Sequence, residues 1–340
     1  MTVEELKAAR LYRQHLTAPT DLHTAARDVL GVQAQFFGNA LHALRIRVRD
    51  FDSAAVGRDL VKSWTIRGTL HLFDPDDLPL FLHEGRTRFL RPCDTMEEDK
   101  LLTAARKEYF AEVILEKVQN GEGERETLRL ACRAAGMTPE EEVSAFNAWG
   151  GLLRALCENG SLLHCAGEKK TFVRCPPFRP MGRDEAEREQ VRRYFAHFGP
   201  AAPRDAAYFF GWTQERVRRH METLPIETVS CAGRDYYSVG ETAAGEIPDC
   251  LFLAGFDQLL LGYQKTESVF LPPEHLRGIF NRAGIVMPAV LLRGRIVGKW
   301  KREKKRLFVT LFETVPAKDR AEIINEAARL WDDVPVQFES

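Results

Sequence analysis

Residues 124–175 read ERETLRLACRAAGMTPEEEVSAFNAWGGLLRALCENGSLLHCAGEKKTFVRC. Thr127–Ala135 predicts a short helix that Gly136 stops. Thr138 stands where an N-cap belongs, and Glu140, Glu141 and Glu142 complement the positive end of the next helix dipole. Val143, Phe146, Leu153 and Leu156 recur at roughly helical spacing, so one longer amphipathic helix is expected up to Asn159-Gly160. Two β-like runs follow, Ser161–Cys165 and Thr171–Arg174, joined by residues 166–170. Helix, turn, helix and β-hairpin in this order spell a winged helix.

The same order returns at 184–239. Asp184–His197 reads as a charged helix, and Pro203–Phe210 as a short one ended by Gly211. Thr213 caps Gln214–Thr223, and Ile226–Ser230 faces Tyr236–Val239 across a turn. A looser copy opens the chain, with helices at Val3–His15, Leu22–Leu30 and Phe51–Val61 and one strand at Ser63–Phe73. Beyond 248, Pro288–Leu292, Arg295–Trp300 and Leu307–Glu313 alternate with turns, and Lys318–Trp331 reads as a closing helix. The expected fold class is α+β, with three tandem winged-helix motifs at 1–95, 96–180 and 181–245. A β-rich unit at 246–340, an open barrel or curled sheet, completes it. Linkers fall near 176–180 and 240–248.

Composition narrows the function. The chain has 340 residues, 48 Lys+Arg against 49 Asp+Glu, and 44% hydrophobic residues, which excludes general disorder and a strongly basic protein. Any nucleic-acid surface must therefore gather its positive charge on one face. No apolar run approaches the ~20 residues of a membrane span, and Asp257 and Gln258 break the longest candidate. The acidic N-terminus does not resemble a secretory signal, so a cytoplasmic protein is expected, on the nucleoid when DNA-bound. Seven cysteines show no CxxC and nine histidines no HxxxH. Neither a metal site nor a cofactor is expected.

Three constellations could carry chemistry. In Leu30-Gly-Val-Gln-Ala-Gln-Phe36, Gly31 is expected to end a helix in the left-handed conformation. If the segment after it is extended, Gln33 and Gln35 project to one side, where two amides could converge on a water. A solvated loop or a pair of capping amides is the alternative. On a strand at 63–73, Thr65, Arg67, Thr69 and His71 line one face, which suits phosphate contact or packing under a helix. Arg45, Arg47 and Arg49 alternate on another expected strand. Finally, the stretch 293–306 holds eight basic residues (Arg293, Arg295, Lys299, Lys301, Arg302, Lys304, Lys305 and Arg306) with one acid and Trp300 interleaved. It is the densest positive patch, fitted to backbone electrostatics or simply to solubility.

Val32-Gln-Ala-Gln35 and Trp64-Thr-Ile-Arg-Gly-Thr-Leu-His-Leu72 resemble the AlkZ-like family of tandem winged-helix DNA glycosylases. So do Asp257-Gln-Leu-Leu-Leu-Gly-Tyr263 and Val290-Leu-Leu-Arg-Gly-Arg-Ile-Val-Gly-Lys-Trp300. The resemblance runs from about residue 5 to 330. It implies a C-shaped body around duplex DNA and excision of N7-alkylated purines, with interstrand crosslinks as substrates of some members. It also implies Gln33 and Gln35 as the catalytic pair, in a branch distinct from one with Gln-x-Asp. Neutral amides can orient a water but cannot deprotonate it, so such a site suits a cationic base that leaves without protonation. The expected partner is double-stranded DNA containing alkylated purines, with no membrane and no obligate protein partner. The competing readings are a non-catalytic winged-helix DNA-binding protein or regulator, and a module for protein contacts.

Overall fold

Thr2 starts the first helix, Val3–Arg13, through a reciprocal capping box with Glu5. Asp21 caps the second, Leu22–Asp28, by accepting from the Thr24 amide at 2.9 Å. A two-residue strand, β1 (Val32–Gln33), and a helix, Phe37–Arg45, follow. This computed structural model describes residues 1–84, 86, 102–241, 245–332 and 334–339. It divides into two units, Met1–Phe51 with Gln190–Ser340, and Asp52–Glu189.

The unit 52–189 opens with the helix Ser53–Asp59 and the strands β2 (Val61–Trp64) and β3 (Leu70–Phe73). The continuous strand expected at 63–73 is therefore a hairpin. Its tip, Ile66–Gly68, is a tight helical turn with Arg67 at φ 55° and Gly68 at φ 67°, a reversal that an extended strand cannot make. Helices Ala104–Gln119 and Arg125–Ala134 precede the stretch 138–159. Thr138 makes its capping box with Glu141, but the helix breaks after Ala145 and restarts as Gly151–Glu158. Gly150 at φ 113° and Gly151 at φ 50° take left-handed conformations at the break, where the backbone folds back so closely that a Cβ on Gly151 would lie 2.3 Å from the Ala145 carbonyl oxygen. Val143 is exposed rather than core, whereas Phe146, Leu153 and Leu156 are buried with Phe110, Ile114 and Leu128. β4 (Leu162–His164) and β5 (Phe172–Arg174) form the expected hairpin, and β2 pairs antiparallel with both β3 and β4.

The helix Arg183–His197 carries the boundary between the units. Pro203–Phe210 ends at Gly211 in the left-handed conformation, and Thr213 caps Gln214–Met221. β6 (Ile226–Cys231) and β7 (Arg234–Val239) then pair antiparallel, within two residues of the expected hairpin. Tyr194, Phe195, Phe198, Phe209 and Phe210 pack as a buried aromatic core under these helices. The last part holds β8 (Cys250–Leu253), β9 (Ala289–Leu292), β10 (Arg295–Glu303), β11 (Arg306–Leu311) and β12 (Val336–Glu339). They lie in the order β12-β11-β10-β9-β8, an open sheet rather than a closed barrel. The helix Ala317–Trp331 packs on β8 and β9.

Candidate active site and DNA interface

The glutamine segment is launched by the end of the Leu22–Asp28 helix. The Gly31 amide donates to the Ala26 carbonyl at 2.8 Å and the Leu30 amide to Arg27 at 3.1 Å, a Schellman motif. Leu30, at φ 57°, takes the left-handed position expected of Gly31, which follows at φ 80°. The chain is extended over Val32–Gln33 and bends at Gln35 and Phe36 before the next helix. Val32 and Ala34 are core residues. Gln33 is 7% exposed, and its Oε1 accepts no hydrogen bond among the described residues. Gln35 is exposed, and Phe36 is 47% exposed.

A second segment holds this one. The Gln258 side chain, buried, donates to the Gly31 carbonyl. Beside it, Asp257 accepts from Arg47 at 2.7 and 2.9 Å, with both side chains fully buried. Arg47 therefore faces no DNA. It belongs to no strand either, because the Phe37–Arg45 helix continues to within two residues of it. Apolar positions Ala40, Ala43 and Leu44 fall on that helix's buried face, which overrides the apparent alternation of arginines. Arg45 donates to the Leu330 carbonyl, and Arg45 and Arg49 line a cleft of about 430 Å³ with Arg329 and Leu251. Spacing marks neither Asp257 nor Gln258 as a site residue; in the sequence they stand only within the Asp257–Tyr263 motif.

The hairpin at 61–73 divides its polar residues. Arg67 is exposed at the tip. Thr69 Oγ1 donates to the Ile66 carbonyl at 3.1 Å. His71 is 4% exposed, with Nδ1 2.9 Å from Thr65 Oγ1, and burial lowers its pKa to about 4. Enclosed in this way, the His71 ring has little surface left to meet a phosphate.

The basic stretch likewise splits in two. Arg293 pairs with Asp249 and Asp319, and Arg295 with Glu274 and Glu313. Lys301 lies 3.2 Å from Glu303 and 3.8 Å from Glu339. Lys299 sits half-buried within β10, and Trp300 is buried, its Nε1 donating to the Leu253 carbonyl at 2.8 Å. Trp300 packs with His42, Phe252 and Trp331, so it is core and cannot stack on a base. At the other end of the hairpin, Arg302, Lys304, Lys305 and Arg306 are exposed around a two-residue turn, with Lys304 at φ 53°.

Sequence spacing gives no hint of a metal group. The fold nevertheless brings His15, Asp28 and His197 together, with ligand atoms within 4.8 Å of one another. The Asp28 carboxylate lies 2.7 Å from His15 Nε2 and 3.3 Å from His197 Nε2. Burial lowers the His197 pKa to about 4, leaving a neutral ring of the kind that can serve as a ligand.

Comparison with known proteins gives this architecture its class, a DNA glycosylase. An interstrand DNA cross-link repair glycosylase from Streptomyces sahachiroi is 29% identical over 92% of this chain and 91% of its own length. The solved structure of the Streptomyces sahachiroi DNA glycosylase AlkZ superposes over 100% of both chains, with a TM-score of 0.82 and 25% identity. The chain belongs to the DNA glycosylase AlkZ-like family, whose description matches residues 26–332. The family read from the sequence motifs is borne out, as is the enzyme class.

Proposed function

We propose that this glycosylase is monofunctional and hydrolyses the N-glycosidic bond of cationic N7-alkylated purines in duplex DNA, interstrand crosslinks included. The relative from Streptomyces sahachiroi, named for cross-link repair, supports that substrate range. Three tandem winged helices would supply the DNA-binding frame. In this reading Gln33 and Gln35 hold a water below the anomeric carbon. The observation that carries it is the buried Gln33 Oε1, an acceptor with no donor among the described residues, two residues from the exposed Gln35. A buried acceptor left unpaired costs about 1–3 kcal/mol, which a bound water would recover.

The chemistry then balances without a strong base. The C1′–N9 bond breaks with its electron pair passing to the positively charged purine, which leaves neutral. Water adds to the oxocarbenium-like carbon and releases its proton to solvent. The amide dipoles position that water and favour the developing positive charge. Uncharged bases such as uracil lack this leaving ability and should stay intact. The β10–β11 turn, with Arg302, Lys304, Lys305 and Arg306, would grip the backbone. Arg67 and Thr69 form a second candidate contact.

The test is incubation with a duplex carrying one N7-methylguanine, followed by alkaline cleavage of abasic sites. Removing one positioned donor or acceptor at such a site costs about 10²–10³-fold in rate. Gln33→Ala and Gln35→Ala should each show that loss while binding the duplex as wild type does. Full activity in both variants overturns the amide-pair mechanism.

A further inference from the structure

The turn Gly255–Gln258 touches the segment 31–47 at successive places along its length. Gln258 Nε2 donates to the Gly31 carbonyl, immediately before the candidate catalytic strand. The Phe256 ring stacks on Phe36 just after Gln35, with centroids 5.6 Å apart and planes 20° apart. Gly255 lies against Asn39, so close that a Cβ would sit 2.7 Å from Asn39 Nδ2. Asp257 holds Arg47 in the fully buried ion pair beyond the helix.

Phe256 reaches its partner at a cost. Its φ of 58° is unfavourable for a bulky residue and persists only where surrounding contacts over-determine it. Those contacts are its own neighbours, Asp257 on Arg47 and Gln258 on Gly31. Strain of this kind would be wasteful in a segment that only filled space.

We infer that the Gly255–Gln258 turn is a positioning clamp for the Gln33–Gln35 segment, with Gln258 setting its entry and Phe256 its exit. The inference rests on the amide-pair reading above. Neither residue touches the reacting atoms; both act by fixing the backbone that carries the two amides. A displacement near 1 Å in such a site can cost about 10²-fold in rate.

Gln258→Leu removes the donor at similar volume, and Phe256→Leu removes the stacked ring. Single-turnover release of N7-methylguanine should slow about 10–100-fold in each. The dissociation constant for a duplex bearing an abasic analogue should stay within about twofold of wild type. In a Gln33→Ala background, Gln258→Leu should add little further loss, because the clamp acts through Gln33. An equal loss in both backgrounds, or an unchanged rate in both single variants, overturns the clamp. Hydrogen exchange of the 31–36 amides supplies a readout that needs no activity and should rise about tenfold or more in Gln258→Leu. If the wild type releases no base while exchange still responds, the amide-pair reading fails and the clamp on the backbone stands. Unchanged exchange overturns the clamp even then. Should Gln258→Leu fail to fold, Phe256→Leu carries the rate, binding and exchange comparisons, with Gln35→Ala as its background.

Discussion

Replacing Arg47 by methionine separates a buried structural cation from a DNA contact. The guanidinium is fully buried, gives Asp257 two hydrogen bonds at 2.7 and 2.9 Å, and donates to the Ala43 carbonyl at 2.9 Å. Methionine keeps much of the apolar stem and deletes the charge, leaving the Asp257 carboxylate enclosed without its counter-ion. Breaking a buried pair from one side costs about 3–5 kcal/mol. In a unit of roughly 200 residues, each kcal/mol shifts the melting temperature by about 2–4 °C. Arg47→Met should therefore melt about 6–20 °C below wild type, followed by circular dichroism on the full chain. The double replacement Arg47→Met with Asp257→Asn should recover much of that loss, because asparagine removes the uncompensated charge and can still accept from the Leu259 amide, which Asp257 caps at 2.9 Å. Below the melting range, duplex affinity should keep the wild-type salt dependence. A phosphate-contacting arginine would behave oppositely, flattening the log–log salt slope by about 0.9 on removal. Unchanged melting with a shallower salt slope would refute the burial argument.

Two further outcomes follow from the site description. Replacing Arg302, Lys304, Lys305 and Arg306 together by alanine should flatten the salt slope by up to about 3.6. Arg293→Ala with Arg295→Ala, whose charges are already met by carboxylates, should change the slope far less, and equal effects in the two sets would contradict that division. Stability should also fall in acid. Burial holds His71 at about 4 and His164 at about 3, whereas an unfolded imidazole titrates near 6.5. Below that value the unfolded chain takes up protons that the folded chain refuses. Their contribution is thus complete above pH ~6.5 and drains away as the pH falls towards the folded values. Melting scans between pH 7 and 4 should show the slope, and His164→Phe, between Trp64 and Phe172, should reduce it. An identical slope in that variant would assign the acid loss to other groups.

Much of this architecture is written locally. Thr138 with Glu141, Thr213, Pro203 and Gly211 are start and stop signals whose partners lie within a turn, so the helices they bound can be read from the chain alone. The hairpins β4–β5 and β6–β7 follow from alternation around a turn for the same reason. The glutamine pair was legible as a motif, and the family with it. What the letters misstate are places where a local pattern competes with packing. Three alternating arginines suggest a strand, yet the apolar face of Phe37–Arg45 wins and sends Arg47 inward. Trp300 among lysines suggests a stacking residue, yet alternation along β10 turns it into the core while the lysines point out. The glycine pair at 150 and 151 stands at the break in a helix whose apolar spacing runs on across the gap.

The order of residues along the chain is enough to read the family, the local grammar of capped helices and hairpins, and which two amides are candidates for the chemistry. Which charges are spent on buried pairs depends on packing between distant segments. Arg47 and Asp257 stand 210 residues apart, as do His42 and the Phe252 carbonyl, and no spacing rule couples them. The same packing brings Gln258 to Gly31, 227 residues away, and so sets what fixes the glutamine segment. The physical reason is range. Caps and turns are settled within a few residues, whereas burial and ion pairing depend on surfaces that exist only after distant segments have packed.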